Sequence, residues 1–267
     1  MDCAPRTIAR VCSSSLLPDY SNQARTYDET RAASPSVLGP LREALDGAPG
    51  RRLADIGGGT GNYSRALRGD GWDPVVVDRE PAMLAQAAAK GLDTVAGDAQ
   101  QLPLDDESVD AAMLVSMLHH VEEPARALAE ARRILRPRGR LAVMVFTRED
   151  LSGLWFGDYF PSLREWIVGG HPMLADLLAH LPGARRLAVE FADLQDASLA
   201  AMAGYPERVA DPRWYRQTSI FERLERDHPE QTRAGLQRLR ADLQAGIAPS
   251  TRGLGSVLAY VKPAARQ

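Results

Sequence analysis

Gly57, Gly59 and Gly61 stand at alternate positions in Asp55-Ile56-Gly57-Gly58-Gly59-Thr60-Gly61-Asn62. The stretch follows an apolar run at residues 53–56 and precedes a helix-compatible segment at 63–67. A glycine-rich turn between a strand and a helix lets the backbone come close to a ligand, and the helix start offers unpaired N–H groups. This is chemistry for holding a nucleotide-containing ligand. The dinucleotide spacing G-x-G-x-x-G would need a third glycine at position 62, where Asn62 stands. Asp78 closes a second apolar run about 20 residues past the turn, the distance expected of a ribose-binding carboxylate. A carboxylate at a strand end can accept both ribose hydroxyls; the alternative is a solvated acid before a helix that begins near Pro81. His119 and His120 have side chains whose ordinary pKa lies near neutrality, which suits proton transfer.

These residues need strands and helices to position them. Apolar runs occur at 53–56, 74–77, 111–118 and 141–146, with a short strand at 93–96. Helical segments lie at 82–90 and 123–135, the second ended by Pro137 and Gly139. Alternation of this kind predicts right-handed crossovers, a parallel sheet, and a ligand at the carboxyl ends of the strands near the switch point. Residues 1–18 show no period, and residues 19–45 read as helical but interrupted by Pro35 and Pro40. From 150 to 251 the chain is aromatic and helix-like, broken by prolines, with a candidate strand at 186–191. Residues 255–261 read as a final strand.

The spacing D-x-G-x-G-x-G resembles the first motif of the class I S-adenosylmethionine-dependent methyltransferases. The resemblance implies that Asp55 and the backbone of Gly57, Gly59 and Gly61 hold the methionine end of the cofactor. Asp78 would take the ribose, with Arg79 and Met83 beside it. Gly97-Asp98-Ala99 resembles the family's adenine motif, in which Asp98 accepts the adenine amino group. The backbone at Val115 and Ser116 would face the methionyl group. Residues 135–141 resemble the family's L-x-P-G-G turn, with Arg138 in place of the commoner glycine; remote from the cofactor, the difference reads as neutral. Tyr27-Asp28-Glu29-Thr30-Arg31 resembles a Y-D-x-x-R element whose arginine, here Arg31, reaches the cofactor's carboxylate. Tyr20 and Tyr27 either cover the active site or pack an amphipathic helix on the sheet.

The resemblance covers residues 20–147 and the terminal strand, and the Gly-Gly-Thr-Gly turn is similar to that of the ubiquinone/menaquinone methyltransferases. It implies an α/β, Rossmann-like seven-stranded sheet, mostly parallel with an antiparallel last strand. Helices would cover both faces, with a helical lid insertion. The expected organisation is an N-terminal helical cap (1–45), a cofactor-binding core (46–150), a mostly helical lid with a core strand near 186–191 (151–251), and the terminal strand (252–267). The expected reaction is methyl transfer to a small organic molecule in natural-product or quinone metabolism. A same-fold protein catalysing a non-methylating reaction such as cyclisation is the alternative.

Within that reading His120 is the preferred base, His119 its neighbour, and His171 in the insertion a further candidate. Trp155, Phe156, Tyr159, Phe160 and Trp166 either line a substrate site, with Tyr20, Trp155, Tyr159 and His171 touching substrate, or form the insertion's own core. No metal motif is visible, and no metal is expected.

The 267 residues carry 45% hydrophobic and 25% charged side chains with a formal charge of −3. That balance argues against a nucleic-acid surface and therefore against an RNA methyltransferase. Asn62 argues against a nicotinamide-dependent oxidoreductase. Cys3 and Cys12 form neither a disulfide framework nor a metal cluster, which fits a cytoplasmic protein. No stretch is long and apolar enough to span a membrane, and the first residues lack a signal peptide's apolar core. The N-terminal segment could cap its own site or exchange with a neighbour's, and a homodimer is the favoured reading. Lys90 and Lys262 are the only lysines; every other basic chain is arginine, and no mechanism follows from composition alone.

Overall fold

A computed structural model describes residues 28, 31–193, 198–215, 218–249 and 252–264. Seven strands make one sheet: β1 (Arg52–Ile56), β2 (Asp73–Asp78), β3 (Asp93–Ala96), β4 (Val109–Val115), β5 (Leu135–Val145), β6 (Arg185–Phe191) and β7 (Gly253–Val261). Their order is β3-β2-β1-β4-β5-β7-β6. β1 to β5 pair in parallel, with Ile56 beside Val77 and Leu53 beside Ala111. β7 lies antiparallel to both β5 and β6, which makes the mixed edge of the Rossmann-like sheet. The order reverses between β1 and β4, so a crevice opens there at the carboxyl ends of the strands.

The central strands read as unbroken apolar runs because both faces of the sheet are covered. Side chains alternate between two cores, as the pleat requires. Leu53, Ala111, Met113, Ala142 and Met144 pack toward the helix Pro35–Leu45 and the aromatic insertion. Ala54, Ile56, Ala112, Leu114, Leu141 and Val143 pack toward the helix Pro124–Ile134 and Leu177. The insertion supplies helices in two stretches, from Arg148 to His180 and from Leu199 to Gln244, separated in the chain by β6. Among the described residues no helix is long and apolar enough to cross a membrane.

Three local expectations change. Pro40 does not interrupt its helix, which runs from Pro35 to Leu45 with Pro40 inside. Val37, Leu38, Leu41 and Leu45 are buried on one face of it, and that burial offsets the missing N–H. β5 begins at Leu135 rather than 141, its pairing with β4 shifting register between Val109 and Ala111 where Pro137–Gly139 bows outward. Arg138 in that bow has φ +64°, a conformation glycine adopts without penalty. The family's glycine there has a backbone reason, and arginine in its place is not neutral.

Candidate functional site

β1 ends at Ile56, and Gly57, Gly59 and Gly61 then take φ values of +66°, +55° and +72°. Alternate glycines are needed because alternate residues enter the left-handed region. Gly57 N–H donates to the Val77 carbonyl at 2.7 Å, tying the turn to β2. Gly61 caps the helix Asn62–Gly69, and a Cβ on it would collide with Leu92. A Cβ on Gly57 would meet the Met117 side chain at 2.7 Å, whereas one on Gly59 would meet nothing. Gly59 therefore borders the open crevice, and Gly57 and Gly61 let the turn seat against the protein.

Asp55 stands beneath this turn rather than in the crevice. Its carboxylate is buried, accepts a hydrogen bond from Ser64 Oγ at 2.7 Å and packs against Gly58. Burial pushes its carboxyl up to about 7; the Ser64 hydrogen bond opposes that, and the negative charge of Asp78 adds to it. Asp78 ends β2. Its Oδ2 accepts from Gly59 N–H at 2.8 Å and its Oδ1 from Glu80 N–H at 2.9 Å. Each oxygen keeps a lone pair for a ligand hydroxyl.

The crevice opens at the carboxyl ends of the strands and has three walls. Gly57, Gly59, Asp78, Arg79 and Met83 form one wall. Gly97, Asp98 and Ala99 form a second, where Asp98 Oδ1 accepts from Gln100 N–H at 2.8 Å and fixes its own turn. The third is the end of β4. There Ser116 has φ +52°, donates its N–H to the Met144 carbonyl at 3.0 Å, and buries an Oγ with no hydrogen-bond partner among the described residues. A strained, unpartnered hydroxyl at a crevice wall is the kind of group a ligand satisfies.

A single 3-10 turn, Leu118–His120, follows β4 and brings His120 to the crevice. The rings of His119 and His120 lie 3.8 Å apart, and His171 reaches within 6.2 Å of His119 from the insertion. His171 Nδ1 lies 3.2 Å from the Ile167 carbonyl. All three imidazoles resist protonation. Burial lowers His120 to about 4, helped by the charges of Arg79 and Arg31. Burial is also the first cause at His119, followed by His120, His171 and Arg31, and at His171, where Arg148 adds to it. The cluster is therefore neutral at pH 7. Arg31, expected at the cofactor's carboxylate, acts on this same end; Tyr20 and Tyr27 lie outside the described residues.

Trp155 and Tyr159 are placed elsewhere. Both are buried in the aromatic core of the insertion, and neither lines the crevice. Trp155 Nε1 donates to the Ala203 carbonyl at 2.8 Å and Tyr159 OH to Asp242 Oδ2 at 2.7 Å, so their polar tips are already engaged. Beside them, Phe156 and Phe160 each meet Phe221 edge to face. Conversely, Glu80, Met117 and Val121 line the crevice and were not singled out in the sequence. Met117 had a signal, since it directly follows Ser116; Glu80 and Val121 had none beyond proximity to Asp78 and His120.

A family model described as a methyltransferase domain matches residues 54–143. A Mycobacterium bovis protein named an uncharacterized methyltransferase is 44% identical over 139 residues, which are 50% of this chain and 54% of that protein. The chain thus matches about half the length of that relative. A demethylmenaquinone methyltransferase of Beutenbergia cavernae is 39% identical over 172 residues, 60% of this chain and 71% of that protein. The crystal structure of a putative methyltransferase from an antibiotic biosynthesis pathway of Anabaena variabilis superposes with a TM-score of 0.72 at 27% identity, covering 86% of this chain and 98% of the other. The cofactor of such proteins fits what the crevice offers: an open glycine turn, a strand-end carboxylate, and an unsatisfied hydroxyl. The chain belongs to the S-adenosylmethionine-dependent methyltransferase family.

Proposed function

We propose that this protein methylates a small organic molecule bound at the histidine end of the crevice. The observation that carries the proposal is the crevice itself, which runs from Asp78 and Asp98 past Ser116 to His120. In this reading Asp78 accepts the ribose hydroxyls and Asp98 the adenine amino group. Met83 and Ala99 flank the base, and the Gly57–Gly59 backbone and Ser116 face the methionine end. Asp55 and Gly61 support the turn from beneath. Bound there, S-adenosylmethionine supplies a methyl group on a positively charged sulfur.

The protein's task is then to align a nucleophile with that methyl group and to keep water out. His120, neutral and weakly basic, suits one kind of proton transfer. A hydroxyl oxygen that is forming a bond to carbon gains positive charge, and its proton becomes acidic enough for a base of this strength. The proton would pass from the acceptor oxygen to the His120 imidazole, with His119 and His171 keeping that ring in place. Hydroxylated small molecules are the acceptors this step suits, and the name of the Beutenbergia relative adds demethylmenaquinone to the assay.

Calorimetric titration with S-adenosylmethionine, S-adenosylhomocysteine and NADH tests the first half of this reading. Saturable binding of the two sulfur nucleosides and none of NADH is the expected result. Binding of NADH alone would overturn it. Release of S-adenosylhomocysteine in the presence of an acceptor then separates methyl transfer from cyclisation.

A further inference from the structure

Lys90 follows the helix Pro81–Ala89, and its side chain is 12% exposed. Its ammonium donates to the Thr60 carbonyl at 2.8 Å and to Asn62 Oδ1 at 2.6 Å, and pairs with Asp28 Oδ2 at 2.6 Å. Three acceptors converging on one nitrogen match the three protons of an ammonium, and a planar guanidinium cannot serve them from one point. That is a physical reason for lysine here in a chain that otherwise uses arginine almost throughout.

The other oxygen of Asp28 is held just as firmly. It accepts from Thr60 Oγ1 at 2.6 Å and from Asn62 Nδ2 at 2.8 Å. Asn62 Nδ2 also donates to the Arg31 carbonyl at 2.7 Å. Thr60 and Asn62 bracket Gly61 at the end of the glycine turn, so the segment bearing Arg31 is fastened to the element that faces the cofactor. Burial would raise the Asp28 carboxyl, but hydrogen bonds from Lys90, Thr60 and Asn62 hold it below the usual carboxylate value.

We infer that Asp28 and Lys90 are positioning residues that latch the Arg31 segment onto the glycine turn, so that cofactor binding and the placement of that segment are coupled. Thr60 and Asn62 flank Gly61, so their bonds to Asp28 hold the turn in the conformation that borders the crevice. The coupling is reciprocal, so loosening the latch weakens cofactor binding without touching any crevice wall. The inference rests on the crevice being the cofactor site.

The test uses the full chain with Asp28→Asn, Lys90→Met and the double variant. Titration with S-adenosylhomocysteine should show about a tenfold loss of affinity in each single variant, within the range ordinary for coupled sites. The double variant should lose no more than either alone, because both act through one latch. A second readout is the titration of the five histidines by NMR without cofactor. In Asp28→Asn, His119 and His120 should take up protons at higher pH than in the wild type, as they should in Arg31→Gln. A role confined to packing would not move those two titrations together.

Wild-type affinity in Asp28→Asn, or additive losses in the double variant, would overturn the coupling. Unmoved histidine titrations would overturn the placement of Arg31 by the latch. If the wild type binds no S-adenosylhomocysteine, the crevice assignment and the coupling both fail, and the histidine titration still decides whether Asp28 places Arg31. If Lys90→Met does not fold, the near-isosteric Asp28→Asn decides the matter.

Discussion

The stretch from β1 to β4 and the helical insertion are built on different principles. In the first, backbone conformation carries the function: three glycines at positive φ, a serine at φ +52°, and N–H groups aimed at Asp78. In the second, side-chain volume carries the structure: Trp155 meets Tyr159 edge to face, as Phe160 meets Phe221, within a buried core. Aromatic residues near a candidate site are therefore not evidence of a substrate lining. Trp155 and Tyr159 share their neighbourhood with the core, whereas the smaller His171 is the insertion residue that reaches the histidine cluster. The insertion contributes to the site by holding one imidazole, and its rings stabilise the body that does the holding.

The contrast has consequences that differ in size. Phe156→Ala should cost about 3–5 kcal/mol of stability by opening a cavity in the insertion core. Cofactor affinity in the folded protein should stay within about twofold, well under 1 kcal/mol. Denaturation with and without S-adenosylhomocysteine checks both, and a large loss of affinity would show that the two regions are not separable. Asp78→Ala is the converse. It should weaken cofactor binding about a hundredfold through the loss of charged hydrogen bonds, with little change in the unfolding midpoint. Wild-type affinity in that variant would sink the ribose assignment.

His120→Gln sharpens the comparison by adding pH. The folded-state pKa of His120, about 4, lies below its ordinary 6.5. Its neutral form is thus favoured by folding, and that stabilisation is fully present above pH 6.5 and lost as pH falls from 6.5 toward 4. The glutamine variant should lose less stability across that window than the wild type, and its turnover should fall about a hundredfold at pH 7 with cofactor binding intact. Unchanged turnover would remove His120 from the reaction. The smallest effect belongs to Arg138→Gly, which relieves a left-handed arginine. It should raise stability by up to about 1 kcal/mol, with affinity and turnover unaltered. A fall in the unfolding midpoint would mean that the Arg138 side chain contributes more than its backbone costs.

The glycine turn, Asp78, Asp98 and Ser116 were legible in the sequence because each depends on its own few residues. A glycine at positive φ or an acid at a strand end leaves a local mark. Pro40 misled because a local rule about helix interiors was outweighed by burial of Val37, Leu41 and Leu45 against the sheet. Arg138 misled in the opposite sense: it was read only by its expected distance from the cofactor, and its backbone requirement shows only in φ. Asp28 and Lys90 are far apart in the chain, and nothing in either neighbourhood announces that they meet across Thr60 and Asn62.

By itself the sequence determined the parallel sheet and the place of the crevice, and its resemblance to known methyltransferases named the cofactor. Strand periodicity, glycine spacing and strand-end carboxylates are short-range properties of a chain, and they survive whatever packs around them. Only the tertiary structure decided which aromatics are core, that His171 joins His119 and His120, that Asp55 lies beneath the turn, and that Lys90 fastens Asp28. Those are contacts between distant residues, set by which faces of the sheet and insertion close together. No local pattern encodes a contact whose two partners are positioned by different elements.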